Sequence, residues 1–272
     1  MRLTAIASGS SGNCIYVGSD TTHLLVDVGI PGKRVEAGVT SLDLSMNDID
    51  GILVTHEHSD HIAGLGVIAR KYSIPIYTTP GTKRAIFSSR CNVGCIDPDL
   101  ICEIYPDEKL TIKDITVNPM RISHDAAEPV AYRFKSENTN IGVLTDLGTY
   151  NEYTVQCLQG MNALFLEANH DVNMLQVGPY PYYLKQRILG DRGHLSNERA
   201  GNLLYELLND NLQAVFLGHL SKENNIPELA YEAVRVEVTM NQSRNEYSGI
   251  GINDFPMYVA NRSEISQIAN IK

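Results

Sequence analysis

Apolar positions along the chain follow two periods. Short runs of strand character, LTAIA (3–7), CIYVG (14–18), HLLVDVG (23–29) and GILVT (51–55), fill the N-terminal part and are joined by turns. Leu65, Ile68, Ala69 and Tyr72 then fall at helical spacing, and IPIYTT (74–79) returns to a strand. From Glu103 to Leu144 the pattern is mostly strand, including ITVNPMRIS (115–123), VAYRFKS (130–136) and NIGVLTD (140–146). After Tyr150 strands and helices alternate: NALFLEA (162–168), a helix after Ser196, QAVFLGH (213–219) and a helix near Pro227 to Met240. The last strand is read as PMYVAN (256–261). Ser196 is a good N-cap, with Glu198 near the positive end of its helix. Behind it Ala200, Leu203, Leu204, Leu207 and Leu208 make one apolar face.

Composition narrows the class. The 272 residues are 43 % hydrophobic and 20 % charged, enough apolar material for a sizeable core. MRLTAIASGSSGN has only a short apolar stretch before small polar residues, unlike a signal peptide, and no run approaches membrane-spanning length. The cytoplasm is the expected compartment, with no membrane partner. Five cysteines, at 14, 91, 95, 102 and 157, are an odd number that argues against a disulfide framework. Cys91, Cys95 and Cys102 have no histidine nearby to complete a metal site and are read as reduced thiols. The net charge of −10 excludes a broad basic surface for nucleic acid. Any phosphate must meet local positive charge or bound cations.

The chemistry gathers in THEHSDH. His56, His58, Asp60 and His61 follow an apolar strand directly, four candidate ligands on one tight loop. Alternate residues can face one metal while Asp60 and His61 reach a second. Imidazole and carboxylate suit zinc, manganese or iron. His124, Asp146 and His219 each end a later apolar strand. A strand-end histidine alone is weak evidence, but the series implies a shared rim.

These residues resemble the five motifs of the metallo-β-lactamase superfamily: Asp27 in LLVDVG, the HEHSDH cluster, His124, Asp146 and His219. The resemblance runs over nearly the whole chain. It implies one α/β domain, residues 1–272, folded as a four-layer αβ/βα sandwich of two mixed sheets flanked by helices. It also implies two divalent metal ions in the groove between the sheets. His56, His58 and His124 would hold one, Asp60, His61 and His219 the other, with Asp146 between them and Asp27 supporting the ligands by hydrogen bonds. Such a pair lowers the pKa of bound water towards neutrality and so supports hydrolysis.

Two branches of the superfamily fit poorly. Its zinc β-lactamases carry cysteine where Asp146 stands, and its redox branch carries glutamate where His58 stands. Thioester and lactone hydrolases share all seven ligands. His194, in GHLSN, is not needed as a ligand. It resembles a histidine of ribonuclease Z-like phosphodiesterases, which pair it with a glutamate ending the preceding strand, here Glu167. A phosphodiester has a poor leaving group, and a histidine oriented by a carboxylate can deliver its proton. His194 is therefore expected to act as general acid or phosphate-binding group, with Asp60 and Glu167 as the other catalytic residues.

Substrate contacts are expected from Ser10, Ser11 and Asn13 in SGSSGN, from Lys185, Arg187 and Arg192, and from Ser196. Tyr180, Tyr182 and Tyr183 offer stacking surfaces or core. SGSSGNC, NHDVNML, GPYPYYLKQRIL and GHLSN together resemble the YycJ/WalJ group, described as double-stranded DNA 5′→3′ exonucleases. Only 21 residues separate His124 from Asp146, too few for the tRNA-gripping arm of ribonuclease Z, and the stretch before His219 is too short for a β-CASP domain. The expected function is a binuclear metal-dependent phosphodiesterase acting on DNA. A small-molecule hydrolase of a cyclic phosphodiester, thioester or lactone is the alternative enzyme. A non-catalytic metal-binding regulator would need the ligands but not the Glu167–His194 pair.

Overall fold

The computed structural model describes residues 1–88, 91, 93–245 and 249–272. Six strands open the chain: β1 (Arg2–Ala7), β2 (Cys14–Gly18), β3 (His23–Val26), β4 (Gly51–Leu53), β5 (Ile76–Thr78) and β6 (Ile101–Glu103). Seven more, β7 (Leu110–Ile112), β8 (Ile115–Arg121), β9 (Val130–Ser136), β10 (Thr139–Leu144), β11 (Ala163–Glu167), β12 (Ala214–Gly218) and β13 (Met257–Val259), build a second sheet. The chain then returns to the first sheet as β14 (Ala269–Asn270), beside β1. Each sheet pairs antiparallel on one side and parallel on the other. The parallel pairs run β3–β4–β5–β6 in the first sheet and β10–β11–β12–β13 in the second.

Period-two burial sets the layers. In β12, Ala214 and Phe216 face the other sheet, whereas Val215 and Leu217 face helices. Leu3, Ile15, Leu24, Val26 and Leu53 of the first sheet meet Val117, Tyr132, Phe134, Val143 and Phe165 of the second. Outside the first sheet lie α1 (Gly32–Thr40) and α3 (Leu65–Tyr72); the short α2 (Ser59–Ile62) precedes α3, and α4 (Pro80–Ile86) follows β5. Along the other half come α5 (Glu152–Leu158), α6 (Val172–Val177), α7 (Tyr182–Leu189), α8 (Asn197–Leu207) and α9 (Pro227–Arg244). Leu158, Leu203, Leu207, Ala230, Val234 and Val238 of α5, α8 and α9 cover the second sheet. The layers are therefore helix, sheet, sheet, helix. Each fully buried Leu, Val or Phe contributes about 1.5–3 kcal/mol of transfer free energy.

Departures from the sequence pattern have physical causes. PMYVAN is not the last strand, because β14 follows it, two residues too short to carry a period. Helix α1 was not evident, since Val35 and Val39 are its only bulky buried residues. HLLVDVG and NIGVLTD end as strands at Val26 and Leu144, and QAVFLGH at Gly218, because the backbone turns left-handed just beyond. No helix among the described residues is long and apolar enough to cross a membrane.

Candidate metal centre

Strands β8 and β10 run the same way, as each is antiparallel to β9, and β10, β11 and β12 are parallel. Their C-terminal ends therefore share one edge, and there stand His124, Asp146, Glu167 and His219. Asp27 follows β3, and Thr55 and His56 follow β4, its parallel neighbour. Asp27, Asp146 and His219 adopt positive φ, 62°, 58° and 55°. Left-handed backbone is uncommon outside glycine and costs about 1–2 kcal/mol. Three such residues at one rim turn their side chains back over the strand ends. Gly29 serves the same rim, because a Cβ there would fall 1.7 Å from the Asp60 carbonyl oxygen.

Each inner imidazole is anchored through Nδ1. His61 Nδ1 donates to Asp27 Oδ2 at 2.7 Å, and His219 Nδ1 to Glu167 Oε1 at 2.9 Å. His124 Nδ1 lies 3.1 Å from the Gly193 carbonyl, and His56 Nδ1 3.0 Å from Thr55 Oγ1. Asp27 also accepts the Thr55 N–H and hydroxyl, both at 2.8 Å. All four Nε2 atoms are thereby left for the centre. His61 Nε2 is 3.0 Å from Asp146 Oδ2, His219 Nε2 is 3.3 Å from Asp60 Oδ2, and His124 Nε2 is 3.2 Å from His58 Nδ1.

The donor set fits divalent cations. Nε2 of His56 is buried with no hydrogen-bond partner among the described residues, a costly arrangement without a ligand. Donor atoms of His56, His58 and His124 lie within 4.8 Å of one another, as do those of Asp60, His61 and His219, and of His56, His61 and Asp146. Burial opposes charge on His61, yet Asp146, Asp27 and Asp60 raise its pKa well above the usual value. Burial likewise works against His219, but Asp146, Asp60 and Glu167 lift it to about 10. The field at the centre is one that holds positive charge.

A fourth group joins Asp146 and His219 to Glu167 and His194. Glu167 is fully buried and used as an anchor: Oε1 accepts from His194 Nδ1 at 2.8 Å as well as from His219, and Oε2 takes the N–H groups of Leu147 at 2.7 Å and Leu195 at 3.2 Å. Burial would raise its carboxyl, but His194 and His219 hold it down at about 2. Nε2 of His194 has no hydrogen bond among the described residues, and the His194 side chain is 19 % exposed, so the ring reaches solvent at the edge of the cluster.

Sequence reasoning missed what fixes the His194 loop. Asn169 N–H donates to the Leu195 carbonyl and Asn197 N–H to His170, both at 2.9 Å, and His170 bridges to Ser196. Asn169 Nδ2 donates to the His219 carbonyl at 2.8 Å. NHDV carried the only signal, three polar residues just after a buried strand.

The expected substrate contacts divide. Ser196 is buried and its hydroxyl caps α8, accepting the Arg199 N–H at 3.3 Å. Asn13 is buried, with Nδ2 3.3 Å from His61 Nε2 and Oδ1 taking the Gly9 N–H at 2.9 Å. The N–H groups of Gly9, Ser10, Gly12 and Asn13 are all used within the fold, so SGSSGN offers the exposed Ser10 and Ser11 rather than an open cradle of amides. Arg187 pairs with Asp125 at 2.5 Å, and Asp125 lies 3.5 Å from His124 Nε2. Arg192 donates to the His124 carbonyl at 2.9 Å, and Lys185 to that of Gln176 at 2.7 Å. Tyr182 and Tyr183 are 77 % and 75 % exposed and belong to the surface, not the core. All five cysteines are free, and none joins a metal-ligating group among the described residues.

A four-layer sandwich with histidines and carboxylates gathered at the strand ends defines a metal-dependent hydrolase. Residues 25–215 match the beta-lactamase superfamily domain, and the chain belongs to that superfamily and, within it, to the YycJ/WalJ group. It is 43 % identical over 234 residues to Exodeoxyribonuclease YycJ of Bacillus anthracis, covering 86 % of this chain and 88 % of that protein. With Exodeoxyribonuclease WalJ of Streptococcus pneumoniae it shares 38 % identity over 257 residues, 94 % and 93 % of the two chains. The metallo-beta-lactamase fold protein YhfI of Bacillus subtilis has the same fold, with TM-score 0.66, 16 % identity, and coverage of 97 % and 98 %.

Proposed function

We propose that this protein is a binuclear metal-dependent phosphodiesterase that degrades DNA. The observation that carries the reading is the Glu167–His194 pair: an imidazole held at the edge of the ligand cluster through Nδ1 at 2.8 Å, with Nε2 free of partners among the described residues. His56, His58 and His124 would hold one ion, Asp60, His61 and His219 the other, with Asp146 between. Zinc or manganese suits this set, and iron is compatible with it. Divalent ions bound there supply Lewis acidity and make water acidic enough to ionise near neutral pH.

The chain's own residues supply the rest. Asp60, near His219 and His61, would orient an attacking water. Glu167 accepts the Nδ1 proton of His194 and fixes the ring, so Nε2 is the atom that would exchange a proton with the leaving alkoxide. Tyr182 and Tyr183 present aromatic faces on which bases can stack. DNA as substrate is supported by the names of both relatives, and duplex 5′→3′ polarity by the group resemblance. The test is turnover by the metal-supplemented protein on 5′- and 3′-end-labelled duplex and single-stranded DNA and RNA, beside thioester and lactone substrates. Mononucleotide release from duplex 5′ ends is expected; preferred cleavage of a thioester or lactone would overturn the reading.

A further inference from the structure

The loop Gly9–Asn13 and the C-terminal segment meet beside His219. A cavity of about 280 Å³ opens there, with Ser8, Leu220, Lys222, Asn225 and Arg262 in its wall. It adjoins the candidate centre directly, for Ser8 Oγ accepts the His219 N–H at 2.8 Å and Leu220 is the next residue. Arg262 Nη2 donates to the Leu220 carbonyl at 2.9 Å, and Nη1 to Ser11 Oγ at 3.4 Å. Those bonds occupy two of its five N–H donors, and among the described residues no carboxylate forms an ion pair with it. Lys222 is exposed and has no hydrogen bond or ion pair among the described residues. Partial burial lowers the pKa of Arg262, with Glu223 and Tyr180 acting in the opposite direction from beyond ion-pair distance.

Gly9 ties the loop to this arginine. Its φ is 143°, and a Cβ there would lie 2.6 Å from Arg262 Nη1 and 3.1 Å from the Leu220 oxygen. That backbone conformation requires glycine, and the guanidinium rests against it. Two cations with no carboxylate partner among the described residues thus face one cavity in a chain of net charge −10. A guanidinium fork with free donors, an exposed ammonium and the hydroxyl of Ser11 suit a tetrahedral oxyanion.

We propose that Arg262 and Lys222, with the Ser11 hydroxyl that Arg262 touches, hold a non-reacting phosphate of the substrate next to the phosphate engaged at the His/Asp cluster. The proposal rests on the phosphodiesterase reading above, and it makes the segment after β13 part of substrate recognition. Neither cation falls in a motif that the sequence singles out.

The test is titration calorimetry on the metal-loaded, full-length protein with thymidine 5′-monophosphate and thymidine 3′,5′-bisphosphate, followed by the same titrations on variants. The bisphosphate is expected to bind about tenfold more tightly than the monophosphate, because its second phosphate gains charge-assisted hydrogen bonds. Arg262→Ala and Lys222→Ala should each remove most of that advantage while monophosphate affinity stays the same. Arg262→Lys should restore part of it, and Gly9→Ala, which displaces the guanidinium, should weaken it. Metal content of each variant, measured alongside, separates loss of the subsite from damage to His219. No advantage in the wild type, or an advantage unchanged in both alanine variants, would overturn the proposal. A protein that shows the advantage but hydrolyses no phosphodiester would keep the subsite and lose the phosphodiesterase reading.

Discussion

Nδ1 of His194 lies 2.8 Å from Oε1 of Glu167, a carboxylate oxygen at the buried end of β11. The same oxygen accepts from His219 Nδ1 at 2.9 Å, so one carboxylate orients both the candidate proton donor and a candidate ligand. Glu167→Gln should therefore do more than misalign His194. The neutral amide cannot offset charge on two imidazoles, and metal affinity should fall about 10–100-fold. Chelator competition followed by metal analysis reads this directly. An unchanged competition midpoint would confine Glu167 to His194 alone.

Asp146 stands between both groups of ligands, with Oδ2 3.0 Å from His61 Nε2 and Oδ1 3.6 Å from His124 Nε2 and from His219 Nε2. Asp146→Ala should lower occupancy at both sites, since each ion loses a ligand and the repulsion between them is no longer offset. Elemental analysis is the measurement. Two full equivalents in the folded variant would contradict a bridging position.

Far from that edge, Asp114 accepts hydroxyl bonds from Thr21 at 2.7 Å, Ser19 at 2.9 Å, Ser136 at 3.2 Å and Thr22, binding the β2–β3 turn to the second sheet. Although what burial it has works the other way, these bonds hold its carboxyl far below the usual range. A depressed folded-state pKa adds stability that is present above the unfolded value near 4 and lost as pH falls through the folded value. Because Asp114 is exposed, Asp114→Ala should cost only about 1–2 kcal/mol near neutral pH. Urea midpoints should differ steadily from pH 5 to 8 and converge below about pH 4. A difference that persists undiminished at pH 2.5 would mean that packing, not the carboxylate, is responsible.

How much of this was legible in the chain depends on length and local density. Strands such as CIYVG and QAVFLGH declared themselves because buried apolar residues run without interruption. Helices α4 to α7 have six to eight residues each, with few buried positions, and fell below any periodicity. The seven ligand candidates were visible because the dense HEHSDH cluster is followed by a series of His and Asp at apolar strand ends, each weak alone, and Asp27 was visible only through the family resemblance. The cations of the further site were not: Lys222 and Arg262 lie 40 positions apart, are ordinary residues singly, and acquire meaning only when β13 brings the chain back beside His219. Arg187 illustrates the reverse, a candidate phosphate contact already paired with Asp125.

The most direct test of the central claim compares two leaving groups in His194→Ala. With metal content confirmed at the wild-type level, rates are measured on a DNA oligonucleotide, whose alkoxide needs a proton, and on bis(4-nitrophenyl) phosphate, whose phenolate leaves unaided. Loss of about 100-fold or more is expected on the oligonucleotide, with less than about tenfold on the nitrophenyl ester. Equal losses on both substrates would contradict proton donation and make His194 a phosphate-gripping group, and unchanged rates on both would leave it no part in the chemistry.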